Sequence, residues 1–420
     1  MSFLPSNKVI YGQSDHLWPS LAQNALQQIG DIVPFRGLRV IFAVSDELEA
    51  VSLVAAGIEA GLDFGVAERS RLNAELTARL AEQHVTVFDL QSGEVTSGPF
   101  ENPDLQPGRI SVLTSGTTGL PKLISHTAQS LNTFDKVQNL KPYSWFVPYQ
   151  VGSYAWYQMV SLGLFVPEQQ LVLGRSADLM ASFEEALRGG QINAVSSTPT
   201  FWRQTAMSID PDVLKASGMT SISLGGEIVD QAILDYLSAM FPAAKIKHIF
   251  ASSETGAAIV VSDGRAGFDA RILSERDNEK SVAVRIVEDR LQVRSRYSSS
   301  AAPGSWIDTG DLVERVGDRI VFRGRADKQM INVGGQKAFP AEIEEVLLSH
   351  PDVAWAQVEA KRSPIMGHLP VANLVLKPGV QIAAAEIELN QFCEARLPEY
   401  AVPRLWNFLE SVPIRSSLKS

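Results

Sequence analysis

Helical and strand-like segments alternate along most of this chain, and that alternation is the feature that most restricts its fold. The stretch LWPSLAQNALQQIG has helical spacing and ends in glycine, whereas LRVIFAVS is a short apolar strand. DELEAVSLVAAGIEAG again has a helical pattern, with acidic residues at its start and a glycine at its end. Strands that alternate with helices are typical of an α/β sandwich with a largely parallel sheet. We therefore expect an α/β fold.

The pattern changes in the last third of the chain. From about residue 282, short strands such as those in VAVRIVEDRLQVRSRY and DRIVFRGR predict a small β-barrel-like unit. After Arg325 helices and strands alternate again, as in PAEIEEVLLSH and PVANLVLK, over roughly 90 residues, which is near the lower end of domain size. We therefore predict a large N-terminal lobe of residues 1–325 and a small α+β C-terminal domain of residues 328–420.

Composition excludes several classes of protein. The 420 residues carry a net charge of −10, which argues against non-specific binding to nucleic acid or to an anionic membrane. The single cysteine, Cys393, cannot form an internal disulfide or a cysteine-based zinc cluster, and we expect a buried, inert thiol. The N-terminus has no signal pattern, and no apolar run approaches the ~20 residues of a membrane span. The sequence thus favours a cytoplasmic protein without nucleic-acid or membrane partners.

The stretch LTSGTTGLPK, residues 113–122, has the composition of a phosphate-binding loop. Its glycines permit a concave backbone whose N–H groups bind an anion, its hydroxyls add donors, and Lys122 adds a positive charge. RISVLT before the loop and KLISHT after it both have strand character. The common P-loop instead joins a strand to a helix and places Gly-Lys-Ser/Thr at the helix start. We therefore predict a strand–loop–strand cradle, with a plain hairpin turn as the alternative.

Two further motifs each contain a carboxylate in a position that suits the binding of a metal ion or a sugar. FASSETG follows an apolar strand and presents Glu254, which suits a Mg²⁺ ion held against triphosphate oxygens. WIDTGDL places Asp311 in a tight turn, where one carboxylate can accept both hydroxyl groups of a ribose. Taken alone, Glu254 is more often the acidic start of a helix, and Asp311 is an ordinary turn aspartate.

Together, in this order, these motifs resemble those of the adenylate-forming superfamily, which includes acyl-CoA and aryl-CoA ligases, peptide-synthetase adenylation domains and firefly luciferases. The phosphate loop is similar to the family's Ser-Gly-Thr-Thr-Gly-x-Pro-Lys signature, and the SHT that follows also fits. FASSE is similar to Tyr-Gly-x-Thr-Glu, and DTGD to the ribose-binding Thr-Gly-Asp. GRADKQMINVGGQKAFPAEIE resembles the segment between the family's two domains, and the resemblance covers the chain from about residue 109 onwards.

The resemblance implies a set of residues that bind ATP and Mg²⁺. It assigns Lys122 and the loop backbone to the triphosphate, Glu254 to the metal, Phe250 to adenine stacking, and Asp311 with Arg325 to the ribose. The remaining nucleotide-binding candidates are Thr114, Ser115, Gly116, Thr117, Thr118, Gly119, Gly225, Gly226, Glu227, Ala251, Ser252 and Ser253.

The last residues, PIRSSLKS, are similar to the family's terminal Pro-x-Thr-x-x-Gly-Lys. Lys419 lies six residues after Pro413, as in the family, although Leu418 replaces the usual glycine. The resemblance assigns Lys419 to the bridging of the substrate carboxylate and the α-phosphate. The alternatives are a frayed terminal lysine and a Ser-x-x-Lys nucleophile pair formed by Ser416 and Lys419.

The chemistry that the resemblance implies is ATP-dependent activation of a carboxylic acid to an acyl-adenylate, followed by transfer to the thiol of coenzyme A. Between the two steps the mobile C-terminal domain rotates about a hinge near Asp327. Gly334 and Gly335 then lie along the pantetheine tunnel, where glycine permits close approach. We name Lys419, Lys122 and Glu254 as the catalytic residues.

The acid is narrowed by the stretch VPYQVGSYAWYQM, which contains no carboxylate to hold an α-ammonium group. We therefore expect an aryl or short-to-medium acyl acid and not an α-amino acid. The pocket candidates are Tyr149, Gly152, Tyr154, Trp156 and Gly225, and helix packing in the core is the alternative for each aromatic residue.

The identity of the acceptor follows less directly. The segment before the phosphate loop is short for the family, so a phosphopantetheinyl carrier protein is an alternative acceptor to CoA. A degenerate nucleotide-binding protein without turnover is the alternative of another class. For assembly the expectation is a monomer or a homodimer.

Overall fold

The structure is a computed structural model. It describes residues 7–30, 33–98, 104–114, 122–134, 141–273, 282–299, 304–326, 330–363 and 367–413. The elements that precede residue 135 are β1 (Lys8–Tyr11), β2 (Ser14–Leu17), α1 (Trp18–Ile29), β3 (Arg39–Val44), α2 (Glu47–Ala60), β4 (Asp63–Glu68), α3 (Ala74–Glu82), β5 (Val85–Asp89), β6 (Glu94–Ser97), β7 (Arg109–Thr114), β8 (Lys122–Thr127) and α4 (Ala128–Leu131).

The alternation continues through the middle of the chain. Its elements are β9 (Tyr143–Val147), α5 (Tyr154–Phe165), β10 (Gln169–Leu173), α6 (Leu179–Arg188), β11 (Ala194–Ser197), α7 (Pro199–Ser208), α8 (Pro211–Ala216), β12 (Ser221–Gly225), α9 (Gln231–Met240), β13 (Lys245–Ser252) and β14 (Gly256–Val261).

Short strands dominate the remainder. These elements are β15 (Phe268–Asp269), β16 (Ala283–Val287), β17 (Arg290–Arg294), β18 (Ile307–Val316), β19 (Arg319–Arg325), β20 (Ile331–Val333), β21 (Gln336–Ala338), α10 (Pro340–Leu348), β22 (Val353–Ser363), β23 (Gly367–Leu376), α11 (Ile382–Glu394) and β24 (Leu405–Phe408).

Two large sheets form the N-terminal lobe. One has the strand order β14-β13-β12-β11-β9-β10-β1-β2, and the other has the order β6-β5-β3-β4-β7-β8. The inner strands of both sheets are parallel, and antiparallel strands stand at the edges. Helices cross between successive parallel strands and cover the faces of the sheets, as parallel pairing requires. The predicted α/β sandwich is confirmed.

The helix ends follow from local chemistry. The Asp46 side chain accepts a hydrogen bond from the Glu49 N–H at the start of α2, and the helix ends at Gly61 with φ 65°. Gly30 ends α1 with φ 75° and ψ −120°, a different conformation with positive φ that glycine also adopts readily. Both glycine stops were predicted from the sequence, and both are confirmed.

The core is divided by the sheets. The largest cluster lies between them, around α1, α2 and α5, and contains the fully buried Trp18, Trp156 and Tyr157. A second cluster lies under α6 to α9 on the other face of the eight-stranded sheet, with Phe183 and Phe201 at its centre. Burial of these large side chains is the main source of stability for the lobe.

The β-rich unit and the C-terminal domain follow as predicted. Strands β15 to β19 form an antiparallel sheet in the order β15-β19-β18-β17-β16, and β20 to β24 form a separate sheet packed on α10 and α11. Cys393 is buried in this second unit, and burial raises the pKa of its thiol to about 11. The predicted hinge, Asp327, lies outside the described residues.

Among the described residues, the C-terminal domain contacts the lobe at α7 and at β19. Met207 of α7 packs against Trp355, and Arg323 of β19 forms an ion pair of 3.3 Å with Glu342 of α10. No helix in the described part of the chain combines the length and the apolar character that a membrane span requires.

Candidate active site

Three predicted site residues of the lobe lie at the carboxyl ends of parallel strands of the eight-stranded sheet. Tyr149 follows β9, Gly225 ends β12, and Glu254 follows β13, while β7 leads into the phosphate loop. The carboxyl ends of neighbouring parallel strands lie side by side, and crevices at that edge are where open α/β sheets bind ligands. The topology therefore brings together residues that are more than a hundred positions apart in the chain.

The strands on either side of the predicted phosphate loop form a β-hairpin. Strands β7 and β8 are antiparallel with Thr114 directly opposite Lys122, and the Thr114 hydroxyl donates to the Lys122 carbonyl at 3.4 Å. The predicted strand–loop–strand geometry is thus confirmed at both ends of the loop. Lys122 is exposed, and its ammonium forms no ion pair among the described residues. Residues 115–121, which include the candidates Ser115, Gly116, Thr117, Thr118 and Gly119, lie outside the described residues.

Glu254 lies in the turn between β13 and β14. Its backbone carbonyl accepts hydrogen bonds from the Ser299 N–H and the Ser298 hydroxyl, each at 3.0 Å. The Ser252 hydroxyl accepts from the Thr255 N–H at 3.1 Å and so shapes the turn. The Glu254 side chain is exposed and has no ion-pair partner in the described ranges. The backbone of this turn is held by hydrogen bonds, and it presents an unpaired carboxylate. Carboxylate oxygens are the hard ligands that Mg²⁺ prefers.

His126 links strand β8 to the Glu254 turn, and the sequence predicted no role for this histidine. Its Nε2 lies 2.7 Å from the Ser253 carbonyl oxygen, and its Nδ1 lies 3.1 Å from the Ser130 hydroxyl. The imidazole is 2% exposed. Burial lowers the pKa of His126, which favours a neutral ring. The only signal in the sequence was its place in SHT, directly after the phosphate loop.

Asp311 and Arg325 are brought together as the ribose assignment requires. They lie directly opposite each other on β18 and β19, with Arg325 Nη1 3.6 Å from Asp311 Oδ1. The Asp311 side chain is 13% exposed and that of Arg325 is 40% exposed. Gly310 has φ 78°, and a Cβ there would lie 3.1 Å from Arg325 Nη2, so glycine gives the arginine room. Part of each side chain in the pair is therefore accessible to a ligand.

The predicted adenine segment lies at the end of β12. Gly225 pairs with Ile249 of β13, and Gly226 turns the chain with φ 82°. Glu227 has a structural role here: its Oε2 accepts from the Thr200 N–H at 3.0 Å and from the Thr200 hydroxyl at 2.8 Å, at the start of α7.

Phe250, Ala251, Ser252 and Ser253 lead from β13 into the Glu254 turn. The ring of Phe250 stacks on Phe322 of β19, with centroids 5.1 Å apart and planes 20° apart. One face of Phe250 is therefore covered by protein, so adenine stacking, which stays a prediction, is limited to the other face.

The aromatic pocket candidates differ in their surroundings. Tyr149 is bonded to the Ser196 hydroxyl at 3.1 Å, and the Tyr154 ring lies 5.4 Å from the ring of His126. Burial raises the pKa of both tyrosines, so both phenols are neutral. Trp156 is fully buried in the core, where it packs edge-on against Tyr157. The packing alternative therefore describes Trp156, whereas Tyr149 and Tyr154 lie beside the site elements.

Gly152 is required by the backbone at this edge. Its φ is 78°, and a Cβ there would lie 2.2 Å from the Val66 carbonyl oxygen. The close approach of two chain segments, more than room for a ring, accounts for the glycine.

Gly334 and Gly335 form the turn of the hairpin between β20 and β21, with φ of 58° and 92°. Successive positive φ values are the geometry of a tight two-residue hairpin turn, which glycine favours. A role in a pantetheine tunnel stays a prediction. Lys419, the predicted bond-making lysine, lies outside the described residues.

Two family matches cover most of the chain. Residues 27–294 match the AMP-binding enzyme family, and residues 342–419 match the AMP-binding enzyme C-terminal domain.

Segments of the chain are similar to bacterial 2-succinylbenzoate–CoA ligases. The ligase of one Bacillus cereus strain is 42% identical over 116 residues, which cover 27% of this chain and 23% of that protein. The ligase of a second Bacillus cereus strain is 35% identical over 173 residues, or 38% of this chain and 34% of that protein. The matched segments thus span between about a quarter and a third of the length of these relatives.

Solved structures with the same fold match over nearly the whole chain. The anthranilate CoA ligase AuaEII in complex with anthranoyl-AMP has a TM-score of 0.72 and 15% identity, covering 99% of this chain and 92% of that one. The Bacillus subtilis o-succinylbenzoate CoA synthetase in complex with the intermediate OSB-AMP has a TM-score of 0.67 and 20% identity, with coverages of 99% and 94%.

Proposed function

Because this chain belongs to the family of AMP-binding enzymes, we propose that it activates a carboxylic acid with ATP to an acyl-adenylate and then transfers the acyl group to the thiol of coenzyme A. The observation that carries this proposal is the contact of His126 with Ser253, which joins the strand that follows the predicted phosphate loop to the turn that carries Glu254. A cationic end of the predicted phosphate loop and a carboxylate without an ion-pair partner among the described residues lie on two chain segments that this contact joins, and both groups suit a triphosphate and its metal.

The chemical problem in the first half-reaction is repulsion. A carboxylate is a poor electrophile. It is also a negatively charged nucleophile, and it must approach a phosphorus atom that is surrounded by negatively charged oxygens. Lys122 and the backbone N–H groups of the phosphate loop bind the β- and γ-phosphates, which leave together as pyrophosphate. A Mg²⁺ ion bound by Glu254 would supply further neutralisation of the triphosphate charge. Positioning and charge stabilisation suffice for this step, and no protein nucleophile is needed.

Two further groups complete the first step. Asp311 accepts the ribose hydroxyls while Arg325, held opposite it, steadies the carboxylate. Lys419 bridges the incoming carboxylate and the α-phosphate. The bond that forms joins a carboxylate oxygen to the α-phosphorus, and the bond that breaks releases pyrophosphate.

In the second half-reaction the thiol attacks the carbonyl carbon of the acyl-adenylate, and AMP leaves with the former carboxylate oxygen. The C-terminal domain, residues 328–420, turns about Asp327, withdraws Lys419 and brings the Gly334–Gly335 turn to the pantetheine arm.

For the acid we propose an aryl carboxylate. Tyr149 and Tyr154 are buried, neutral aromatic side chains beside the site elements, and such walls favour an apolar ring over an ionised amino acid. The relatives named above act on 2-succinylbenzoate, and one structural neighbour holds anthranoyl-AMP. We therefore rank these two acids first among those to be tested, with CoA as the acceptor.

The test is pyrophosphate release from ATP across a panel of aryl, short-chain and medium-chain acids, with and without CoA. We expect acid-dependent pyrophosphate and a thioester that forms only when CoA is present. Transfer to a phosphopantetheinylated carrier protein with little turnover of CoA would replace the acceptor. ATP binding without pyrophosphate release for every acid would refute the proposed enzyme.

A further inference from the structure

The contact between His126 and Ser253 joins the two sheets of the lobe. His126 is in β8, an edge strand of the six-stranded sheet, four residues after Lys122. Ser253 follows β13 of the eight-stranded sheet and directly precedes Glu254. Their bond spans 127 positions of the chain and is 2.7 Å long. It therefore fixes the distance between the strand that leaves the phosphate loop and the turn that carries the candidate metal ligand.

The direction of this hydrogen bond is set by the acceptor. A backbone carbonyl can only accept, so the proton must be on Nε2 of His126. Nδ1 is then unprotonated in the neutral ring and lies 3.1 Å from the Ser130 hydroxyl. Ser130 is itself held, because it takes part in the capping box of α4 with Thr127. The contact with Ser253 thus determines the tautomer of the ring and holds its orientation.

The surroundings keep water away from this bond. The His126 side chain is 2% exposed, and the ring of Tyr154 packs at 5.4 Å with a tilt of 44°. On the other side of Glu254, its carbonyl is held by Ser298 and Ser299 at 3.0 Å each. Hydrogen bonds therefore hold the backbone of the turn at Ser253 and at Glu254, while the Glu254 side chain remains accessible to a ligand.

We propose that His126 is a positioning residue, which holds the Glu254 turn against β8 so that its carboxylate would be in place for a Mg²⁺ ion bound to ATP. The proposal deepens the proposed function and rests on its assignment of Glu254 to the metal. His126 touches neither substrate nor metal. It acts by keeping the Glu254 carboxylate in place before the nucleotide arrives, so that binding has less conformational freedom to remove.

The test measures ATP binding by titration calorimetry, with MgCl₂ and with EDTA, for the whole protein without an acid substrate. The quantity of interest is the gain in affinity that Mg²⁺ confers. In His126→Asn the side-chain amide corresponds in position to Nδ1, and the donor to Ser253 is lost. We expect this gain to fall about tenfold, as for a buried hydrogen bond to an acceptor left unpaired. His126→Gln extends an amide N–H to the position of Nε2 and should retain most of the gain.

Ser130→Ala is the matched control, because it removes the partner of Nδ1 and leaves the bond to Ser253 in place. It should lower thermal stability slightly and keep the gain from Mg²⁺. Should His126→Asn fail to fold, His126→Phe replaces it, since that variant preserves the ring packing on Tyr154 and removes both nitrogens. Its expected result is the same loss.

A wild-type gain in His126→Asn or His126→Phe, or equal losses in the Asn and Gln variants, would overturn the proposal. So would the absence of any gain from Mg²⁺ in the wild-type protein. A wild-type protein that binds ATP with the expected dependence on Mg²⁺ and on His126, but releases no pyrophosphate with any acid, would refute the proposed function and leave this inference standing.

Discussion

Replacement of Asp311 by alanine should abolish recognition of the ribose while leaving the fold intact. The carboxylate is 13% exposed and faces Arg325 across a strand pair at 3.6 Å. A hydrogen bond to a charged group contributes roughly 1.5–3 kcal/mol, and two ribose hydroxyls are expected to bond to this one carboxylate. Because such contributions do not add fully, we expect a loss of about 3 kcal/mol, which corresponds to about a hundredfold weaker binding of ATP.

The cost in stability should be much smaller. Arg325 is 40% exposed, and ion pairs that are open to solvent contribute about 0–1 kcal/mol to folding. Asp311→Ala should therefore stay folded at room temperature, and its thermal midpoint serves as the check. Glu314→Ala is the matched control, because Glu314 lies on the same strand, is exposed and is paired with Arg323 away from Asp311. The control should bind ATP as the wild-type protein does.

The assay compares ATP with 2′-deoxy-ATP and 3′-deoxy-ATP by calorimetry. The wild-type protein should bind each deoxy analogue about tenfold more weakly than ATP, since each lacks one of the two hydrogen bonds. Asp311→Ala should bind all three nucleotides with equal affinity. Continued discrimination by the variant, or none by the wild-type protein, would refute the assignment of Asp311 to the ribose.

Four further substitutions test other parts of the account. Lys419→Ala should cripple acyl-adenylate formation and spare thioester formation from a supplied acyl-adenylate; equal loss of both steps would contradict its role. Lys122→Met should slow pyrophosphate release about 10²-fold in steady-state kinetics, the effect of removing one charge-stabilising group. Gly152→Ala should lower the free energy of unfolding in urea by about 2 kcal/mol or more, because of its positive φ and a Cβ 2.2 Å from the Val66 carbonyl. Trp156→Phe should lower stability by about 1–3 kcal/mol without changing the preference among acids, and a changed preference would return Trp156 to the pocket.

The parts of the fold that were predictable from sequence have local causes. The alternation of periodicities predicted the α/β lobe, and Gly30 and Gly61 end their helices because glycine adopts positive φ without steric cost. The flanks of the phosphate loop were predicted as strands from their apolar residues, and β7 and β8 pair as expected. Each of these features depends on a few neighbouring residues, so the sequence carries them directly.

The contacts that build the site depend on the sheet topology and were not readable in advance. His126 meets Ser253 only because two separate sheets come together at their edges. The hydrogen bonds that the Glu227 side chain accepts from Thr200 at the start of α7 join two segments 27 positions apart, and the place of Glu227 in the nucleotide segment stays a prediction. Trp156 is aromatic and lies close in sequence to the other pocket candidates. Its burial follows from the orientation of α5 in the fold. These contacts, and the burial of Trp156, can be identified only from the three-dimensional structure.

The central claim is that a carboxylate oxygen attacks the α-phosphorus of ATP. The most direct measurement labels both carboxylate oxygens of a substrate acid with ¹⁸O and determines the masses of AMP and pyrophosphate after thioester formation. Adenylation predicts one ¹⁸O atom in AMP for each thioester formed and none in pyrophosphate. Unlabelled AMP, or formation of ADP and phosphate in place of AMP and pyrophosphate, would contradict it.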